Sequence, residues 1–282
     1  MAAARIATKT LGSGRAIPVL GLGVYQSEPG AETYNAVLSA LQMGYRHIDT
    51  AQFYRNEADV GKAIRDSGIP REEIFVTSKH FAQKWSYDDA LAIVKESVNK
   101  VGGGYIDLYL LHAPGQPEGR AEAWRALEDA QSQGLLRDIG VSNYGEAHLE
   151  ALSETWRVKP AVNQIELHPW LTREELCKYC ADQGIHLEAY SPLARAQKMD
   201  NATLNEIAQQ TKATPAQVLI AWSLAKDFIT IPKSVKPQRL QENLDAYNVK
   251  LSEAQVAALD ALDEYFVTGW DPIKQHPVRS SL

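Results

Sequence analysis

Only two cysteines, Cys177 and Cys180, occur in the 282 residues. A disulfide framework is therefore excluded, and two free thiols fit a reducing compartment. A C-x-x-C pair elsewhere serves redox chemistry or half of a zinc site. Here it lies in a helical pattern (Leu171, Leu176, Tyr179, Cys180) with no second ligand pair, so both thiols read as helix residues. No run approaches the roughly 18 apolar residues of a membrane span. The opening stretch, MAAARIATKTLGSGR, lacks the apolar segment of a secretory signal, so a cytoplasmic location is expected. Its cations resemble a transit peptide faintly, but a strand pattern already starts near Ile17. An excess of positive charge is missing too: the formal net charge is −6, which argues against a nucleic-acid partner. No low-complexity linker breaks the chain, so residues 1–282 are expected to form a single domain.

What is present is an ordinary globular composition, 45% hydrophobic and 23% charged, with length enough for a large core. Short β-rich runs alternate with helical patterns eight times. The strand candidates are 19–25, 45–49, 74–78, 106–111, 136–141, 161–166, 185–190 and 228–232. Ser86 with Asp89 is a capping-box pattern ahead of Leu91, Val94, Val98 and Val101. Thr214-Pro215-Ala216-Gln217 is another, with proline at the first helical position. A hairpin turning at Gly12-Ser13-Gly14 precedes the first unit, and a helix over 252–263 with an irregular tail follows the last. Eight strand–helix units predict a closed (β/α)8 barrel of the α/β class, with a doubly wound open sheet as the alternative.

A barrel of this kind carries its chemistry at the C-terminal ends of the strands. Those ends read Asp49, Lys79, His112, Ser142 with Asn143, Gln164, Tyr190 with Ser191, and Lys233 with Ser234. Asp49 and Lys79 end adjacent strands and can meet, either as a buried rim ion pair or as part of a site. Tyr54 lies in the next loop. A phenol near pKa 10 is a weak donor at neutral pH, and a nearby ammonium is expected to lower it. His112 could hold a substrate oxygen beside it. In IPKSVKPQRLQENL, Pro237 opens a helix behind Lys236, a poor N-cap, near Lys233 and Arg239. Free N–H groups and two cations make an anion site. No G-x-G-x-x-G follows a strand and opens a helix, so a nucleotide would need another cradle. Ser142, Asn143 and Gln164 could bond a carboxamide, and Tyr190 could stack on a flat ring.

Together GYRHIDTAQFYRNEADVGKAI, IFVTSK, IDLYLLHAPG, IGVSNY, PAVNQIELHP, AYSPL and IPKSVKPQRLQENL resemble the aldo-keto reductase superfamily, from about Leu20 to Leu262. The resemblance implies a (β/α)8 barrel, a monomer, and NADPH-dependent reduction of aldehydes or ketones. It places the catalytic tetrad on Asp49, Tyr54, Lys79 and His112. It places nicotinamide contacts on Ser142, Asn143, Gln164 and Tyr190. Other cofactor contacts fall on Ser191, Leu193, Lys233, Ser234, Val235, Arg239, Glu242 and Asn243. No metal is implied. Tyr25 stands where many relatives have tryptophan, His80 replaces an aliphatic residue, and FAQKW (81–85) replaces a polar turn. The loops APGQPEGR and ARAQKMDN are short, as in compact microbial reductases. Tyr25, Trp85 and Trp270 are the expected substrate-pocket residues.

Three rival readings of the same residues stand beside this one. Lys79 at a strand end could form a Schiff base, as in a lyase or aldolase. His47, Asp49 and His112 could bind a metal, though the usual paired ligands are missing. Some members of the superfamily bind cofactor without turnover.

Overall fold

The computed structural model describes residues 6–81 and 85–279. β1 (Thr8–Thr10) pairs antiparallel with β2 (Ala16–Pro18), Thr8 opposite Pro18 and Thr10 opposite Ala16. The turn falls on the Gly12-Ser13-Gly14 stretch, and Gly14 takes a φ of 85°, which a side chain would oppose. Leu11 and Ile17 of this hairpin are buried against Phe75, Leu108, Val162 and Ile229, near the starts of four later strands. The hairpin therefore plugs the N-terminal end of the barrel and leaves the other end open.

Eight parallel strands follow: β3 (Leu22–Gly23), β4 (His47–Asp49), β5 (Phe75–His80), β6 (Ile106–Leu111), β7 (Leu136–Ser142), β8 (Val162–Glu166), β9 (His186–Tyr190) and β10 (Ile229–Thr230). Each pairs with the next in chain order. The first and last also meet, through parallel bridges from Leu20 to Thr230 and from Gly23 to Lys233. Gly21 N donates to Thr230 O at 2.9 Å, and Thr230 N donates to Val19 O at 2.8 Å. The sheet is thus closed, and the open-sheet alternative falls. A Cβ on Gly23 would lie 2.9 Å from Ile231 O, so the seam needs a residue without a side chain. Single bridges rather than a full ladder at this seam explain why β3 and β10 are shorter than the runs 19–25 and 228–232.

The intervening helices are α1 (Ala31–Met43), α2 (Glu57–Asp66), α3 (Tyr87–Val101), α4 (Pro117–Ser132), α5 (Glu146–Ser153), α6 (Glu174–Asp182), α7 (Ala202–Thr211), α8 (Pro215–Ala225) and α9 (Pro237–Asp245). Ser86 Oγ accepts from Asp89 N at 3.2 Å, as its capping pattern requires. α3 then buries Ala90, Val94, Val98 and Val101 on one face. Thr214 and Gln217 cap α8 reciprocally. α6 carries both cysteines as free thiols, Cys180 buried and Cys177 half-buried. α10 (Glu253–Asp260) is shorter than the 252–263 pattern, with Ser252 as its cap. The tail is less irregular than expected, since α11 (Pro272–Gln275) interrupts it. Among the described residues no helix is long and apolar enough to cross a membrane.

Arg120 fixes where the tail lies. Its buried guanidinium donates to Pro114 O at 2.8 Å, Pro277 O at 2.7 Å and Val278 O at 3.0 Å. The loop after β6 and the chain end are thereby tied together beside the open end of the barrel.

Candidate active site

The inner end of the site is a chain of charged hydrogen bonds across adjacent strands. Asp49 ends β4, and Lys79 lies next to last in β5; both are buried. Lys79 Nζ donates to Asp49 Oδ1 at 2.6 Å, to Thr50 O at 2.9 Å and to Tyr54 Oη at 3.3 Å. All three ammonium hydrogens are therefore committed. Tyr54 reaches back over the strand end because a 3-10 turn, Gln52–Tyr54, begins three residues after β4 ends at Asp49 and stops at Arg55 with a φ of 60°. From β8, Gln164 Nε2 donates to Asp49 Oδ2 at 2.8 Å and to Glu188 Oε2 at 3.0 Å. Glu188 comes from the middle of β9 and was not among the expected site residues.

Two buried carboxyls bridged by Gln164 stand near one ammonium that bonds only Asp49 of the two, and the titration of the site follows from that. Burial pushes Asp49 up, while Lys79 and Gln164 pull it down. Glu188 is pushed up to about 8, by burial first and then by Asp49. His47 lies beneath, its Nε2 3.5 Å from Glu188 Oε1, and burial drops it to about 3. Tyr54 is raised well above its ordinary value, first by burial and then by Asp49, Tyr25 and Glu188. The expected lowering of the phenol by Lys79 is thus reversed: desolvation and the neighbouring carboxyls outweigh a single ammonium. His112 is held well below its ordinary value by burial, Lys79 and His80, so its imidazole is neutral. Its ring packs edge-on against Tyr54 at 5.6 Å between centroids.

A cleft of about 890 Å³ runs outward from Tyr54 and His112, near the upper end of small-molecule sites. Ser142, Asn143, Gln164, Tyr190, Ser191 and Leu193 line its wall. Tyr190 Oη donates to Asn143 Oδ1 at 2.8 Å, and Asn143 Nδ2 donates to His112 O at 2.9 Å. Asn143 sits at a φ of 65°, a left-handed position that asparagine tolerates better than most residues. The far end is lined by Lys233, Ser234, Arg239, Glu242 and Asn243. α9 opens there behind Lys236, and no side chain caps it. Lys233 and Arg239 are exposed, and among the described residues neither has a carboxylate in ion-pair range.

Three expected residues lie off the cleft surface. Lys79 sits behind Tyr54, its Nζ 3.3 Å from Tyr54 Oη. Val235 is half-buried beside its lining neighbour Ser234. Trp85, expected in the substrate pocket, is not among the residues lining the described cleft: its ring packs edge-on against buried His80 at 5.4 Å and against Gly115, and its Cβ and backbone lie against Gly119. Ala82, Gln83 and Lys84 of the FAQKW stretch lie outside the described residues. His80 is neutral, lowered to about 4 by burial. The aromatic mouth is instead formed by Tyr25, Phe53, Phe81 and Trp270. Phe53 and Phe81 are 5.0 Å apart, and Phe81 is 5.4 Å from His112. Phe53 directly precedes Tyr54, which was the signal available for it.

The model of the Aldo/keto reductase family matches residues 19–264. The chain belongs to that family. This aldo-keto reductase is 43% identical to a glyoxal reductase of Bacillus subtilis, over 94% of this chain and 96% of that protein. It is 42% identical to a 9,11-endoperoxide prostaglandin H2 reductase of Trypanosoma cruzi, over 93% of this chain and 94% of that one. A Bombyx mori aldo-keto reductase solved in complex with NADP superposes with a TM-score of 0.89 at 33% identity, covering 98% of this chain and 99% of that one.

Proposed function

We propose that this chain reduces aldehydes or ketones to alcohols with NADPH, with Tyr54 as the proton donor. The observation that carries the reading is the Lys79 Nζ contact to Tyr54 Oη at 3.3 Å, at one end of a cleft whose other end holds two exposed cations, Lys233 and Arg239. A phosphorylated nicotinamide cofactor fits that cleft. The uncapped start of α9 with Lys233 and Arg239 suits its 2′-phosphate. Ser142 and Asn143, and the Gln164 side-chain oxygen left free by its two donated bonds, suit its carboxamide.

A bound nicotinamide would supply the hydride. Tyr54 holds a proton at Oη throughout the neutral range, because its site pushes it above the ordinary phenol value. Its oxygen already accepts from Lys79, so its own O–H is free to face a substrate. As charge gathers on the carbonyl oxygen, Tyr54 gives up that proton, and Lys79 balances the phenolate left behind. Lys79 thus favours the charged product of proton transfer without loosening the proton beforehand. Neutral His112 donates to the same oxygen and aligns it.

The Schiff-base reading is disfavoured by the same geometry. Lys79 is fully buried, and a fully hydrogen-bonded ammonium has no lone pair with which to attack a carbonyl. The test is NADPH consumption across aldehydes, diketones, ketoesters and sugars, with NADH in parallel. Oxidation of NADPH by at least one carbonyl class is expected. A protein that binds NADPH and oxidises it with none of them is a binding member of the family, not a reductase.

A further inference from the structure

The proposed reaction makes no use of a cation at the outer mouth of the cleft. After β9 the chain passes through Ser191, Ala194, Arg195 and Ala196 with φ values of 48°, 47°, 48° and 60°. Such left-handed positions are uncommon without glycine. The turn leaves Arg195 exposed and lining the cleft. Its guanidinium carbon lies 5.8 Å from the centroid of the Tyr25 ring, and that ring lies 5.0 Å from the ring of Tyr54. On the other side stands Gly269, where an added Cβ would come 3.4 Å from a guanidinium nitrogen. Trp270 follows and lines the same mouth. Other cations of this region are spoken for: Arg173 pairs with Asp271 at 3.1 Å, and Lys198 pairs with Glu264 at 2.5 Å. Among the described residues Arg195 has no carboxylate partner.

A guanidinium is a planar fork of donors that matches a carboxylate and also stacks on aromatic faces. Here it stands one aromatic ring away from the group that protonates the carbonyl. We propose that Arg195 binds a carboxylate on the substrate, so that the carbonyl compounds preferred at this site are oxoacids and carboxylated aldehydes. The proposal rests on the reductase reading of the cleft. Tyr25 would then flank the body of the substrate while its two polar ends are held, the carbonyl by Tyr54 and His112 and the anion by Arg195.

The experiment compares 4-carboxybenzaldehyde with benzaldehyde on wild type, Arg195→Gln and Arg195→Lys. NADPH oxidation gives kcat/KM for each aldehyde. Calorimetry gives the affinity of each aldehyde for the enzyme loaded with NADP+, and fluorescence gives the NADPH dissociation constant. Wild type should favour the carboxylated aldehyde. Arg195→Gln should lower that preference roughly tenfold or more, in kcat/KM and in calorimetric affinity alike, as expected for loss of a charge-assisted bond. Arg195→Lys should retain part of it. A wild type without preference, or a preference unchanged in Arg195→Gln, overturns the proposal. So does a loss shared equally by both aldehydes and matched by weaker NADPH binding, which would make the cofactor's diphosphate the ligand of Arg195. If wild type oxidises NADPH with neither of these aldehydes nor with any class of the wider carbonyl panel, the reductase reading has failed, and the calorimetric comparison still decides the role of Arg195.

Discussion

The two ends of the cleft differ in how completely their polar groups are paired. At the inner end both oxygens of Asp49 and all three ammonium hydrogens of Lys79 are engaged before any ligand arrives. At the outer end Lys233 and Arg239 have no carboxylate partner among the described residues, and α9 starts uncapped. The difference separates two tasks. A proton donor must be held in place in advance, because reorganisation during the reaction would cost rate. A binding surface must keep its charge unmet, because a partner already in place would compete with the ligand.

Substitutions at the two ends should therefore fail differently. The largest effect is expected at the inner end. Lys79→Met leaves Asp49 buried without its cation, and breaking a buried pair in this way costs about 3–5 kcal/mol. Urea unfolding should show the loss, together with the loss of turnover. Unchanged stability would mean that the inner end is less committed than its geometry indicates. At the outer end, Lys233→Met removes an exposed, unpaired charge. Its melting temperature should stay near that of wild type, while NADPH affinity falls about tenfold and NADH affinity does not. An unchanged ratio of the two affinities would take Lys233 out of phosphate recognition.

The smallest effect concerns Glu188. Its folded pKa, about 8, lies above the ordinary carboxyl value. The folded state therefore holds a proton that the unfolded state has released, and stability falls as pH rises. The contribution is fully present below the ordinary carboxyl range and is lost as the pH rises through about 8. Glu188→Gln should flatten that part of the curve of unfolding free energy against pH. An equal slope in both proteins would show that Glu188 titrates normally.

The rim of strand ends was legible because parallel strands in a closed barrel must end on one side, and polar residues stand at nearly every predicted end. The start of α9 was legible from Pro237 and the poor cap at Lys236. Glu188 was not, since IHLEAY reads as an ordinary strand with one acid. Its partners sit on other strands, and Gln164, which bridges it to Asp49, lies 115 residues from that aspartate. An acid in the middle of a strand expected to be buried on both faces was the available signal. The direction of the Tyr54 shift depended on that hidden carboxyl and on depth, so the strand-end residues alone gave the wrong sign. The surroundings of Trp85 could not be read from FAQKW, because they come from His80 and from Gly115 and Gly119 after the next strand. Arg195 lay in ARAQKMDN, where composition gives no hint of four left-handed residues.

The central claim is that Tyr54 delivers the proton while other groups bind the cofactor. Tyr54→Phe tests it most directly when single-turnover NADPH oxidation by a saturating aldehyde and the NADPH dissociation constant are measured on one preparation. The expected result is a rate lowered roughly 10²–10⁴-fold, the usual share of a positioned acid, with the dissociation constant unchanged within about twofold. A rate close to that of wild type, or a loss explained by weaker NADPH binding alone, would contradict it.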